Sequence, residues 1–493
     1  MKFQQICVFL HLDMDQLKEK TAKGLMWGAV NNGTMQVLNL LIGILILRHL
    51  TPDDTGLIGM LAIFSAIAGN LQSSGFSTAL INEKEPTDEQ YNSVFWFNIL
   101  MGGALYLILF FSAPLIAMFF HQPRLTDLSR FLFLAFFISS FGISTNAYMV
   151  KNMMNREITI INITALILSG TTAIVMVFFD MAYWSLAWQQ VVNAAILVVG
   201  RFFYVKWKPR LQFTFDYIRQ TFSFSMKILV TMIVNTVNQN VLTVVFGRLF
   251  RDARVVGNFF QAYKWDSMAF QTVGGMLAQV AQPVLVSVRD ERDRERQVFR
   301  KMLRFASFLS FPALFGLALV GREFILCTIG DEWVECVPLL QLLCLSGAFM
   351  PIYTLYQNLA ISHGRSDINM WLNIVQIALQ LCIILIFYRE GIKVMVTAYT
   401  IFNMVWLAAW QLATRRIVGL RFLELLKDVV PFMLIAATVM TAAYYATLFI
   451  ENLWILLIVR VVIAAALYFV VMRLLNVAIL RECMQFVLKK KQE

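Results

Sequence analysis

Hydrophobic residues gather along this chain into runs of roughly 20 to 28, separated by short polar stretches. Each run is long enough to cross about 30 Å of hydrocarbon as a helix rising about 1.5 Å per residue. Runs such as LLIGILIL and YLILFF show no period of two, so the strands of a membrane barrel are not indicated. The pattern predicts spans near 24–47, 56–81, 92–120, 127–150, 158–179, 183–205, 221–247, 257–287, 300–326, 335–361, 368–388, 391–413, 429–450 and 453–475. The expected fold is an all-α integral membrane protein with about 14 transmembrane helices.

Two stretches then suggest an internal repeat. LILRHLTPDDTGLIGMLAIF (45–64) lines up with VFGRLFRDARVVGNFFQAY (245–263), Arg48 over Arg248, with one extra residue before the glycine in the second copy. Each ends a polar-striped span on an arginine, follows it with a short loop, and opens the next span on a glycine. The simplest division is therefore a cytoplasmic N-terminal segment (1–23), a first lobe of six helices (24–205), a linker (206–220), a second lobe of six (221–413), a linker (414–428), a terminal helix pair (429–475) and a basic tail (476–493). A parallel repeat of this kind predicts two lobes with a cavity between them.

Composition agrees with the pattern: 59% of the 493 residues are hydrophobic and 14% are charged, against about a quarter charged in ordinary soluble domains. The net charge of +11 is concentrated in the N-terminus, VKWKPR (205–210), RDERDRERQVFRK (289–301), TRRIVGLR (414–421) and the terminal KKK (489–491). By the positive-inside rule these segments, and both termini, are expected in the cytoplasm. In the 289–301 run, acids and bases interleave at helical spacing, Asp290 with Arg294 and Asp293 with Arg296. That predicts a solvated helical connector, not a nucleic-acid site.

Polar positions inside the spans give the candidate chemistry. Lys227, Thr231, Asn235 and Asn238 follow one another at spacings of four, four and three, which places them on one helical face. The first span repeats the device with Asn32, Gln36 and Asn39, with Gly28 and Gly43 on the same side, and the eighth adds Gln261, Lys264, Asp266, Gln271, Gln279 and Gln282. Such stripes are costly against lipid and are expected to face protein or a water-filled cavity. Cations at the lips or within the spans are Arg48, Lys151, Lys227, Arg248, Lys264 and Arg460, against only Asp180 and Asp266. Two readings stand: snorkelling to the membrane surface, or a cavity that receives an anion such as phosphate.

Other classes find little support. The six cysteines are scattered without a CxxC pair, Cys327 and Cys336 alone flanking one loop where a bridge is conceivable. The four histidines are far apart, so no metal site or cofactor is expected. HExxH, a Gly-rich phosphate loop and a soluble domain of useful size are all missing, which leaves a gradient or the membrane potential to drive a carrier. The first twelve residues resemble a signal peptide only loosely, and Met14 is an alternative start.

The residues also carry a family resemblance. LILRHLTPDDTGLIGMLAIFSAIAGNLQSSGFSTALI (45–81), the region 282–345 with its Gly330 to Trp333 turn, and ISHGRSDINM (361–370) resemble the Wzx-type polysaccharide flippases of the multidrug/oligosaccharidyl-lipid/polysaccharide exporter superfamily, closest to the colanic acid exporter type. The likeness weakens in the last two helices. It implies a MATE/MurJ-like fold and a bacterial inner-membrane flippase, not an enzyme, with an undecaprenyl-pyrophosphate-linked glycan as substrate. It also implies alternating access. Partners expected beside the glycan are membrane lipids, a proton or sodium coupling ion as an alternative to the membrane potential, and a downstream polymerase, with no nucleic acid. The cations named above would then meet the pyrophosphate, and Asn32, Gln36, Asn39, Thr231, Asn235 and Asn238 the sugars. Alternatives are a peptidoglycan lipid-precursor flippase or a multidrug exporter of the same superfamily. From another class comes a membrane-embedded polysaccharide polymerase or ligase.

Overall fold

The computed structural model describes residues 27, 31–73, 75–250, 252–477 and 479–481, and among these all the regular structure is helical. In order the helices are α1 (Asn31–Leu47), α2 (Pro52–Ser73), α3 (Gly75–Asn82), α4 (Asp88–Phe120), α5 (Leu125–Ser140), α6 (Ile143–Lys151), α7 (Asn155–Phe178), α8 (Tyr183–Tyr204) and α9 (Phe215–Phe250). They continue with α10 (Ala253–Val288), α11 (Arg292–Thr328), α12 (Cys336–Gly347), α13 (Met350–Ser362), α14 (Ser366–Phe387), α15 (Ile392–Val418), α16 (Phe422–Ala446) and α17 (Leu453–Leu474). Among the described residues nine helices are long and apolar enough to cross a membrane, or ten if the bent pair α5–α6 is one span. The chain divides into two compact units, up to Val256 and from Gly257 onward.

The span expected at 127–150 is not one straight helix. It breaks after Ser140 and bends by 45° between α5 and α6. Local chemistry accounts for the break: the hydroxyls of Ser139 and Ser140 donate back to the carbonyls of Ala135 and Phe137 at 2.8 and 2.6 Å, and Gly142 follows. Hydroxyls that bond back into the preceding turn bend helices.

In the first unit, α1 packs on α7 through Ile42, Ile46, Ala173 and Val177. The segment that joins α8 to α9 is fastened to the start of α4. Asn92 Oδ1 accepts from the Arg210 amide at 2.9 Å, Ser93 Oγ accepts from the Thr214 amide at 2.9 Å, and Trp96 Nε1 donates to the Arg210 carbonyl at 2.8 Å. Trp207 closes the same corner against Tyr91 and Phe95.

In the second unit two sets of ionic contacts correct expectations from sequence. The run that begins α11 is a solvated connector only in part, since residues 289–294 are exposed but the following turns are docked. Arg296 reaches Glu424 at 2.7 Å, and Arg300 and Arg304 both reach Asp428 at 2.6 Å, so the start of α11 is docked on the start of α16. Arg294 pairs with Glu291, and Arg289 with Asp290, in place of the expected partners. The tally of acids inside the spans also omitted Glu323. It is 2% exposed on α11 and pairs at 2.8 Å with Arg460 of α17, itself 4% exposed. Thr447 accepts from Arg460 Nε at 2.9 Å, and the guanidinium lies over the Tyr444 ring. This contact joins the terminal pair to the body of the unit. Cys327 and Cys336 are free thiols.

Breaking one side of an enclosed ion pair leaves the other charge uncompensated, a loss of about 3–5 kcal/mol. Arg460→Met alone should lower the melting temperature in detergent, and the double variant Glu323→Leu/Arg460→Met should recover most of it. Additive losses in scanning fluorimetry would show that the two side chains do not depend on each other.

Candidate functional site: polar faces on α1 and α10

Helix α1 is exposed on two sides. Val37, Leu41 and Leu45 are 59%, 51% and 52% exposed, and at about 100° per residue they form one apolar strip. Asn32, Gln36 and Asn39 are exposed as well and fall roughly opposite. Ile42 and Ile46 hold the intervening face against α7. Only the apolar strip suits lipid. Uncharged amides exposed on the other side are placed where water, not hydrocarbon, can satisfy them.

Helix α10 has a comparable polar face. Lys264, Gln271 and Gln282 are exposed and separated by seven and eleven residues, close to whole turns, so they form one strip. Lys264 makes no ion pair among the described residues. Gln261 and Asp266 of the same stripe are instead buried, at 1% and 3% exposure. The sequence pattern had grouped all of these together, and the structure separates them by face.

The remaining cations differ in their surroundings. Arg48 is exposed at the end of α1 and without an ion-pair partner among the described residues. Arg248 donates to the Phe119 carbonyl at 2.6 Å and to His121 Nδ1 at 2.8 Å, and lies over the Phe119 ring. Lys151 donates to the carbonyls of Ile81 and Glu83, at the end of α3, where a cation suits the helix dipole. Arg460 is held by Glu323, so its charge is satisfied within the protein. Lys227, Thr231, Asn235 and Asn238 fall in α9, as does Gln279 in α10, and their side chains lie outside the described residues.

Sequence reasoning missed a polar cluster in the second unit. Gln376 and Gln380 of α14 donate to Asn403 Oδ1 of α15 at 3.0 and 3.1 Å, Asn403 Nδ2 donates to the Tyr399 carbonyl, and Tyr353 donates to the Asn403 carbonyl. Asn373, Gln376 and Gln380 have the same three- and four-residue spacing that marked the other stripes. Here the amides satisfy one another and form a packing element. Among the described residues no group of three or more His, Cys, Asp or Glu is placed to hold a metal ion.

At one end of the first unit, two glycines allow unusually close approaches, one to backbone and one to a ring. A Cβ on Gly56 of α2 would lie 1.9 Å from the Ala253 carbonyl oxygen, and one on Gly247 of α9 would lie 2.8 Å from the Phe120 ring. Asp53, which precedes the span in α2, has its carboxyl raised above the usual range by burial and by the Asp252 charge, with Arg254 opposing.

The family model described as "Polysaccharide biosynthesis protein" matches residues 45–338, more than half of the chain. The chain belongs to the polysaccharide biosynthesis protein family. The lipopolysaccharide biosynthesis protein WzxC of Escherichia coli K12 is 26% identical over 364 residues, 73% of each chain. Among solved structures, the lipid II flippase MurJ in an inward closed conformation superposes with a TM-score of 0.69 over 92% of this chain and all of its own, at 15% identity. An inward-facing multidrug resistance MATE transporter gives 0.64 over 78% of this chain and 95% of its own, also at 15%. These similarities bear out the Wzx-type resemblance and the MATE/MurJ-like fold, and they place the chain among multi-pass membrane transporters of polysaccharide biosynthesis.

Two outcomes test this end of the transporter. Gly56→Ala should disrupt the α2–α10 approach, because a backbone carbonyl cannot move aside as a flexible side chain would; thermal stability and transport should both fall. Because the folded protein raises the Asp53 carboxyl, the folded state binds more protons than the unfolded one just above the ordinary carboxylate range, and stability falls as pH rises through that window. Melting curves against pH should show this slope in the wild type and a weaker one in Asp53→Asn.

Proposed function

We propose that the transporter moves an oligosaccharide linked to undecaprenyl pyrophosphate from the cytoplasmic to the periplasmic face of the bacterial inner membrane, for assembly of a surface polysaccharide. The carrying observation is the double exposure of α1, with an apolar strip on one side and Asn32, Gln36 and Asn39 on the other. A membrane helix with that pattern meets lipid and water at once, as a substrate path requires. Amides suit sugar hydroxyls, since they both donate and accept. Exposed Lys264 and Arg48 suit the pyrophosphate, and Lys227 joins them on the strength of its spacing with Asn235 and Asn238.

The polyprenyl tail needs no polar path. It remains in the bilayer, and an apolar groove of about 610 Å³ between α11 and α17, lined by Phe308, Pro312, Gly316, Ala464 and Tyr468 among others, offers a surface for it. Both termini are cytoplasmic in this reading, and transport proceeds by alternating access. Outward movement of negative charge down an interior-negative potential is favourable by about 2.3 kcal/mol per charge per 100 mV.

Deletion of the gene should cause a lipid-linked oligosaccharide to accumulate on the cytoplasmic face, with loss of one surface polysaccharide. Cell lysis without that accumulation would instead indicate a peptidoglycan precursor as substrate. In reconstituted vesicles Lys264→Ala should weaken flipping by roughly ten- to a hundredfold, as expected for a lost hydrogen bond to a charged group of about 1.5–3 kcal/mol. Wild-type rates in both Lys264→Ala and Lys227→Ala would remove the anion-binding role from these lysines.

A further inference from the structure

Helix α10 carries a second polar feature, buried beside the exposed strip that holds Lys264. Asn258, Gln261, Trp265 and Asp266 are 1%, 1%, 5% and 3% exposed. Each holds one polar atom without a hydrogen-bond partner: Oδ1 of Asn258, Nε2 of Gln261, Nε1 of Trp265 and Oδ1 of Asp266. Buried polar atoms are nearly always paired, so four unpaired ones within roughly 12 Å of helix axis call for a missing occupant. At one end of the row, Asn258 Nδ2 donates to Glu335 Oε2 at 3.1 Å. Glu335 is exposed and directly precedes α12, which opens this end to water.

At the other end Asp266 is closely enclosed. A Cβ on Gly347 of α12 would stand 2.1 Å from Asp266 Oδ1. The Cys344 thiol of α12 lies against the carboxyl, and Tyr399 of α15 and Tyr263 of α10 are close enough to feel its charge. It makes no ion pair among the described residues, and Lys264 points about 200° away on the same helix. An ionised carboxylate so placed would have lost water without gaining a counter-charge. Glycine at 347 leaves room for the carboxyl and little else, and the groups around it do not form an oxygen shell for a metal ion. A proton is the ligand that removes the charge without needing space.

We propose that Asp266 is a proton-binding site, reached from the Glu335 end along Asn258, Gln261 and Trp265 through bridging water, and that its loading and unloading accompany transport. One proton passes from water at Glu335 to the Asp266 carboxylate, and the same proton leaves when the carboxylate is next ionised. Water fits such a row, because each bridging molecule gains partners that the side chains otherwise lack. The coupling half of the proposal rests on the transport reading above. The binding half does not.

The test uses the full-length protein and two readouts. Infrared titration of the purified transporter without substrate should show a protonated-carboxyl stretching band that disappears in Asp266→Asn. Its exchange in heavy water should be slower in Asn258→Leu and Gln261→Leu. In vesicles loaded with lipid-linked oligosaccharide, the steady-state distribution should change about tenfold for each unit of imposed pH gradient if one proton is exchanged per cycle. That dependence should vanish in Asp266→Asn, while the response to membrane potential remains. A carboxyl band that persists in Asp266→Asn, or an undiminished gradient response in that variant, overturns the proposal. If the wild type shows the band and its loss in the variant but no flipping of any lipid-linked glycan, the proton site stands and the transport reading falls.

Discussion

Hydrocarbon offers a polar side chain no hydrogen bond, and that constraint organises the described part of this protein. A polar group at membrane depth must pair within the fold, reach the surface or face water. Each solution is visible here. Arg460 pairs with Glu323, Lys151 is held by the carbonyls that end α3, and Gln376, Gln380, Asn403 and Tyr353 satisfy one another. Among the described residues Asn32, Gln36 and Asn39 take none of these internal routes. They are exposed opposite an apolar strip, and their placement makes sense only beside water.

The same constraint explains how far the amino-acid sequence could be read. Long apolar runs are forced by the thickness of the bilayer, so most helices were expected near where they occur. The break between α5 and α6 depended on hydroxyls folding back on their own helix, an outcome that hydropathy does not register. The contacts of Arg296, Arg300 and Arg304 were misassigned for a different reason. Pairing rules based on helical spacing see only local partners, whereas Glu424 and Asp428 lie more than a hundred residues away and become neighbours only when α16 packs on α11.

The candidate site was legible in part, because spacing reports which residues share a face but not what that face touches. On α1 the two questions had the same answer, and the stripe is exposed. On α14 an equally regular series, Asn373, Gln376 and Gln380, turns into the core. On α10 one apparent stripe resolved into an exposed strip containing Lys264 and a buried set containing Gln261 and Asp266. Family membership supplies the class of process, and a shared fold at 15% identity supplies the scaffold. Neither determines which of these amides meets a sugar.

Helix α10 brings the two chemistries closest together. Lys264 and Asp266 are two residues apart and so point to nearly opposite sides of one rigid element. The Lys264 side is exposed, whereas the Asp266 side is pressed against Gly347 with no slack for a carbon atom. Close-packed interiors respond to small displacements by switching between arrangements, not by compressing. On the proposed reading, a shift or rotation of α10 that accommodates an anion at Lys264 would alter the Gly347 contact, and a change of charge at Asp266 would bear on Lys264 in return. Reciprocity of this kind follows from linkage. It needs no relay of side chains between the two groups, because the helix that carries both is itself the connection.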